Sequence, residues 1–241
     1  MPTRNILYQR SIDINDKIHL VIPTVAEIIE DEDNYYGLVN LITAMPIDML
    51  VQLDDLGINF AEINDYELFL FLVFPTLQQT DTSMIFGDLD LSKFNYAKNE
   101  ETDMIVLVDS ENDIIIDRPI FTKIAMTLRK IHNLKKDNRK PGNEEAQKYM
   151  LERARKKLAR QKNKVSDSQL ETLIVALVNT EQFKYNYETV RSLSIYQFNE
   201  SVQQISAKIA YDNTMRGVYA GTVDVKSLSQ DDLNWLTHKK Y

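Results

Sequence analysis

The sequence predicts an α+β protein that is mostly helical, with a small antiparallel sheet and a C-terminal helical bundle. Three observations predict this class. Two apolar, β-branched runs at 104–108 and 114–116 flank a polar turn, which is typical of a hairpin. Several Ser, Thr or Asn residues precede Glu or Gln by three positions, which is the pattern of a helix start. Apolar residues after position 118 recur at helical spacing.

The sheet is expected to combine N-terminal strands with the hairpin near 104–116. Residues 6–12 and 18–22 are short apolar segments separated by a polar turn, so we predict two strands there. The short apolar segment 84–86 offers a third strand. Thr24, three residues before a glutamate, predicts the first helix start.

Helical patterns occupy the rest of the first half. Apolar spacing predicts helices over 34–44 and 46–56. The run 68–74 is apolar throughout, and periodicity alone does not distinguish a buried strand from a buried helix. Asn64 and Glu67 form a capping pattern just before this run, so we expect a helix.

The second half is predicted to be helical, which gives two domains: an acidic α+β domain, 1–117, and a helical region, 118–241. Ser166 and Ser194 begin capping patterns for two helices, and the second is expected to end at 216–217. A basic helix is expected over about 143–164. The helix after Ser194 carries a heptad stripe. Its apolar positions are Ile195, Phe198, Val202, Ile205 and Ile209.

The net charge of −8 hides a strong asymmetry along the chain. Residues 1–122 contain 6 Lys and Arg against 23 Asp and Glu, whereas residues 123–164 contain 15 against 4. Three interpretations stay open. The basic segment lies on the acidic half of this chain or of a neighbouring subunit, or it is a solvated helix, or it binds nucleic acid through counterion release.

The basic helix carries the candidate partner-binding residues. Its apolar face is thin, with Ala146, Met150, Ala154 and Leu158 at helical spacing, so most of the helix is expected to stay near solvent. Its acidic residues lie in the first half and its basic residues mostly in the second, which suits the helix dipole. The candidate residues are Lys148, Arg153, Arg155, Lys156, Lys157, Arg160, Lys162 and Lys164.

Catalytic and metal-binding motifs are not apparent in the sequence. The chain has no Cys and three His, which excludes thiolate chemistry and leaves little scope for His-based sites. The acidic turn 109–113 resembles the start of a calcium loop, but Ile114 and Ile120 stand where such a loop needs Gly and Glu. We therefore expect a hairpin turn there, no catalytic residues, and no metal or cofactor. The longest apolar run, of seven residues, is too short to span a bilayer.

Four stretches resemble proteins from the structural gene clusters of tailed phages: 38–69, 194–198, 217–224 and 232–235. Such proteins are similar to the tail assembly chaperones of long-tailed phages of Gram-positive hosts. The resemblance implies a non-enzymatic protein that binds other tail proteins, such as the tape measure, in the host cytoplasm.

Two alternatives to an assembly chaperone or adaptor stay open. One is a permanent tail or baseplate subunit that remains in the virion. The other is a nucleic-acid-binding protein that acts through the basic segment 123–164. The expected partners are other phage tail proteins, with a homo-oligomer possible, nucleic acid less favoured and no membrane.

Overall fold

The computed structural model describes residues 6–161, 168–230 and 232–236. It confirms a mostly helical α+β fold, with 56% helix and 9% strand. The helices are α1 (Val25–Glu30), α2 (Glu32–Thr43), α3 (Leu50–Asp55), α4 (Asp65–Leu68), α5 (Phe74–Leu77), α6 (Ser83–Phe86), α7 (Arg118–His132), α8 (Glu144–Gln161), α9 (Gln169–Val178) and α10 (Ile195–Tyr219). The strands are β1 (Ser11–Asp13), β2 (His19–Val21), β3 (Asn95–Lys98), β4 (Ile105–Asp109) and β5 (Ile114–Ile116).

The strands form two sheets rather than the single sheet that we expected. β1 and β2 pair with each other, and a separate antiparallel sheet has the order β3-β4-β5. The predicted strand at 84–86 is wrong, because these residues belong to helix α6, which contacts β2. The Asp81 carboxylate accepts a hydrogen bond from the Ser83 amide at the start of this helix, and Gly87, at a φ of +60°, ends it. The expected strand at 6–12 is also shorter, because Ile6–Tyr8 form a 3-10 turn.

The predicted hairpin is confirmed as β4 and β5. Its turn is held by the carboxylate of Asp109, which accepts hydrogen bonds from the amides of Glu111 and Asn112. Where the two strands diverge, the Tyr66 hydroxyl lies 3.1 Å from the Ile105 carbonyl oxygen and 3.0 Å from that of Ile116. This hydroxyl therefore fixes the sheet to the start of α4.

The apolar run 68–74 is helical, as the capping box of Asn64 and Glu67 predicted. Its central segment, Phe69–Val73, has π-helical hydrogen bonding, and the Phe74 amide donates to the Phe69 carbonyl. Pro75 has no amide proton and its ring conflicts with the preceding turn of an α-helix, so the wider π turn accommodates it without breaking the helix.

The main core contains side chains from both sides of residue 117. Helix α7, whose first turn is capped by Asp117, places Phe121 against Phe69 with ring centroids 4.3 Å apart and planes 24° apart. About two turns further along α7, the Arg129 guanidinium is buried and donates to the Thr43 carbonyl at 2.6 Å. The division into an acidic domain, 1–117, and a helical region, 118–241, stays a prediction.

The C-terminal helices differ from expectation at their ends. Ser166 lies outside the described residues, and the side chain that caps α9 is Ser168. Helix α10 has the predicted capping box at Ser194, but it continues past 216–217 to Tyr219 and is followed by Gly221 at a φ of +72°. Along the heptad stripe, Ile195 and Phe198 are buried, Val202 and Ile205 pack against the core, and Ile209 is exposed.

The segment after α10 folds back along that helix. The Gln204 amide donates to the Trp235 carbonyl at 2.8 Å, and the Lys208 ammonium lies 5.5 Å from the centre of the Trp235 ring. None of the described helices is by itself long and apolar enough to cross a membrane. Helix α2 and the segment Pro46–Asp55, which is a 3-10 turn continued by α3, together have the length and composition of a membrane span, but they are bent by 118°.

Candidate partner-binding surface on the basic helix

The basic helix predicted at 143–164 is observed as α8, which the structure describes to Gln161. The Asn143 side chain accepts a hydrogen bond from the Ala146 amide at 2.8 Å, as an N-cap residue does. Glu144 and Glu145 lie in the first turn and Arg160 in the last, so these charges interact favourably with the helix dipole. The local sequence therefore stabilises this helix without help from a partner.

A narrow apolar face attaches α8 to the acidic half. Met150, Leu151 and Ala154 are partly buried and pack against a small core cluster that is separate from the main core. The buried members of that cluster are Ala44, Leu50, Leu53, Phe60 and Leu68. None of the side chains that the structure describes on α8 is fully buried, so the helix lies on the surface.

Two polar contacts fix the direction in which α8 crosses the acidic half. The Gln147 amide donates to the Asn59 side-chain oxygen at 2.9 Å. Two turns later, the Arg155 guanidinium lies 2.7 Å from the Asp54 carboxylate and 2.5 Å from that of Asp55. Among the candidates that the structure describes, Arg155 is therefore the one that pairs with the acidic half.

The connection between α7 and α8 follows the same acidic surface. The Lys136 ammonium lies 2.7 Å from the Asp65 carboxylate, which is only 12% exposed. Burial by itself would raise the pKa of Asp65, but the hydrogen bond and charge of Lys136, together with the charge of Arg129, hold it below its ordinary value. The sequence pattern did not single out Lys136 or Gln147, because neither belongs to a recognisable motif.

Four candidate cations form an exposed strip that we call the basic face: Arg153, Lys156, Lys157 and Arg160. Their spacing of three, one and three residues places them on one side of the helix. Within the described residues, their one ion pair joins Lys156 to Glu152 at 3.9 Å, and both side chains are at least 70% exposed. The basic face is thus open to solvent and to any partner.

The remaining candidates lie elsewhere. Lys148 is exposed on α8 but does not share the basic face. Lys162 and Lys164 lie outside the described residues. Partner binding by any of the eight candidates stays a prediction.

Replacing Arg155 with alanine should leave the free energy of unfolding almost unchanged, because both ion pairs are about half exposed and water screens them. Chemical denaturation would measure this free energy. A loss of several kcal/mol would mean that Arg155, rather than the apolar face of α8, attaches the helix to the protein.

A histidine, His132, packs among tyrosine side chains at the end of α7. Nε2 of His132 lies 2.9 Å from the Tyr35 hydroxyl oxygen, and the ring also packs edge-on against Tyr36. Burial lowers the pKa of His132 to about 4, so the imidazole is neutral at pH 7. Asn199 of α10 donates to the neighbouring Ile131 carbonyl, so this site joins α2, α7 and α10.

Among the described residues, no group of three or more His, Asp and Glu side chains is placed to hold a metal ion. The acidic run 30–33 contacts the start of helix α9 through one of its residues. Its Glu32 carboxylate accepts hydrogen bonds from the Ser168 hydroxyl and the Leu170 amide, at the N-terminus of α9.

Comparison with known proteins connects the C-terminal part of the chain to bacteriophages. Residues 160–240 match the model of a phage-associated domain family described as the YomV second domain. This region includes α9, α10 and the returning segment, and it covers about a third of the chain. No curated protein and no solved structure matches the chain.

Proposed function

We propose that this phage-associated protein is a non-enzymatic adaptor or assembly chaperone that binds other tail proteins, such as the tape measure, in the host cytoplasm. The resemblance to proteins of phage structural gene clusters and the match over residues 160–240 support a role in the phage. The exposed basic face of α8 supports a role in binding.

The observation that carries the proposal is the open basic face on an acidic protein. The chain has a net charge of −8, yet Arg153, Lys156, Lys157 and Arg160 are exposed together on one helix. Exposed ion pairs contribute only about 0–1 kcal/mol each, so binding needs several of these charges at once. Such binding favours an acidic surface on the partner and weakens as salt is added.

Reversing the basic face to glutamate should leave the fold intact and remove most of the binding. The variant is R153E/K156E/K157E/R160E, which leaves Arg155 in place so that no new repulsion arises beside Asp54 and Asp55. We expect at least a tenfold weaker affinity for the captured tail protein at low salt, because about 1.4 kcal/mol or more is lost. Affinity capture from infected cells, followed by titration with the captured partner, measures this change.

A matched control makes the same change in net charge elsewhere. Lys184, Arg191, Arg216 and Lys226 are also exposed, and none lies on α8. Reversing these four residues should leave the affinity within about twofold of wild type. Equal losses in the two variants would show that net charge, rather than the basic face, governs binding.

Two further measurements distinguish an assembly chaperone from a permanent virion subunit and from a nucleic-acid-binding protein. An assembly chaperone should be absent from purified virions, whereas a permanent tail or baseplate subunit should be present in them. Binding to random DNA that falls steeply as salt is raised would favour the nucleic-acid-binding function instead.

A further inference from the structure

Among the described residues, strand β3 leaves one edge of the three-stranded sheet unpaired, because the sheet order is β3-β4-β5. Just beyond the strand, the Asn99 amide donates to the Met104 carbonyl at 2.9 Å. Since hydrogen bonding alternates along an antiparallel strand, Ala97 also faces β4, and the main-chain groups of Tyr96 and Lys98 face outward. Within the described residues, no backbone hydrogen bond satisfies these outward groups.

The other side of β4 agrees with this alternation. Leu107 lies opposite Ile116 in the ladder between β4 and β5. The Ile105 carbonyl, two residues earlier, points to the same side and meets the Tyr66 hydroxyl beyond the end of β5. Residues 105 and 107 therefore face β5, and their neighbours face β3.

Apolar side chains border the open edge. The exposed fractions are 54% for Phe71, 49% for Tyr96 and 40% for Ile105. These residues line an open cavity of about 660 Å³ together with Ala97 and Lys98. Natural edge strands are usually protected by short length, lysine side chains, inward charges, bulges or covering loops. β3 has four residues and one charged side chain, Lys98, and this charge is already paired with Asp103 at 2.5 Å. The open main-chain groups and the exposed apolar neighbours of β3 favour pairing with another strand.

We propose that β3 pairs antiparallel with β3 of a second copy of this chain, around a two-fold axis at Ala97. In this register Tyr96 of each copy lies opposite Lys98 of the other. Both outward positions of each strand are then used, which gives four main-chain hydrogen bonds and one continuous six-stranded sheet.

The register follows from the side chains of the edge. Moving the axis to Lys98 would place two lysines opposite each other, and cross-strand pairs of like charge are destabilising. Moving the axis to Tyr96 would place Lys98 opposite Phe94, which lies outside the strand, so Lys98 would have no partner within β3 of the other copy. The axis at Ala97 instead places each lysine beside a tyrosine ring, and the small Ala97 side chain lies where the two backbones approach most closely.

A single-cysteine experiment tests this register, since the chain has no cysteine of its own. In the A97C variant the two Cα atoms would lie about 4.5 Å apart across the axis, within the range of a disulfide. Mild oxidation should therefore convert most of the protein to a covalent dimer. The matched variant N95C is more exposed, but its two copies would lie about 13 Å apart along the strands and should remain uncoupled.

Replacing Lys98 with proline tests the main-chain pairing. Proline removes an outward amide that β4 does not use, so the fold should persist. K98A removes the same Lys98–Asp103 ion pair but keeps the amide, and it is the matched control. Sedimentation equilibrium should show a dimer for wild type and K98A, and a dissociation constant at least about tenfold higher for K98P.

The proposal fails if the wild-type chain is a monomer at all concentrations. It also fails if N95C crosslinks as readily as A97C, or if K98P and K98A dimerise equally. Occupation of the β3 edge by a strand of another protein in place of a second copy would overturn it as well.

Discussion

Replacing Phe121 with alanine should lower the free energy of unfolding by about 3–5 kcal/mol. Phe121 is 1% exposed, and its ring stacks on Phe69 and lies 5.7 Å from the ring of Tyr66. Alanine would leave a cavity where α7 meets the π-helical segment, and the tightly packed surroundings would close it only in part. Urea denaturation followed by circular dichroism measures the change.

Met126 provides the matched control on the same helix, because its side chain is 62% exposed. M126A should change the free energy of unfolding by no more than about 0.5 kcal/mol. F121L retains much of the buried volume and should fall between the two. A loss below about 1 kcal/mol for F121A would mean that α7 is not part of the main core.

Lowering the pH from 7 to 5 should cost the protein about 2 kcal/mol through His132 alone. Its pKa is about 4 in the folded protein and about 6.5 in the unfolded chain, so the unfolded state binds more protons between these values. The stability associated with neutral His132 is therefore complete above pH 6.5 and falls progressively as the pH approaches 4. Denaturation curves at several pH values measure this slope.

The H132Q variant isolates this effect, because glutamine has no proton to gain in this range. Its absolute stability should be lower, but its loss between pH 7 and pH 5 should be about 2 kcal/mol smaller than that of wild type. The carboxylate of Asp65 contributes only at lower pH, because its folded pKa lies below the ordinary aspartate value. Equal slopes in wild type and H132Q would contradict the assignment.

Local signals predicted much of the fold. The capping boxes at Asn64 and Ser194 and the hairpin at 104–116 are formed by neighbours in the sequence, and the structure confirms them. Strand β3 was missed, because its residues are mostly exposed and lack an apolar pattern. No local signal in the sequence indicated that α6 packs beside β2, because this is a tertiary contact.

The candidate partner-binding surface was likewise predictable only in part from the sequence. The composition of α8 predicted its charge and its thin apolar face, since both depend on residues within one helix. The contact of Arg155 with Asp54 and Asp55 joins residues about a hundred positions apart. Charge asymmetry predicted an attraction between the two halves as one of three interpretations, but no local pattern could identify which cation makes the contact.

The most direct test of the proposed function is site-specific photo-crosslinking in infected cells. A photoreactive amino acid at Lys157 probes the basic face, and one at Lys184, which is exposed on another part of the surface, serves as the control. We expect a phage tail protein to be crosslinked at position 157 and not at position 184. Crosslinking of tail proteins at 184 alone, of nucleic acid at 157, or of no phage component at 157 would contradict the proposal.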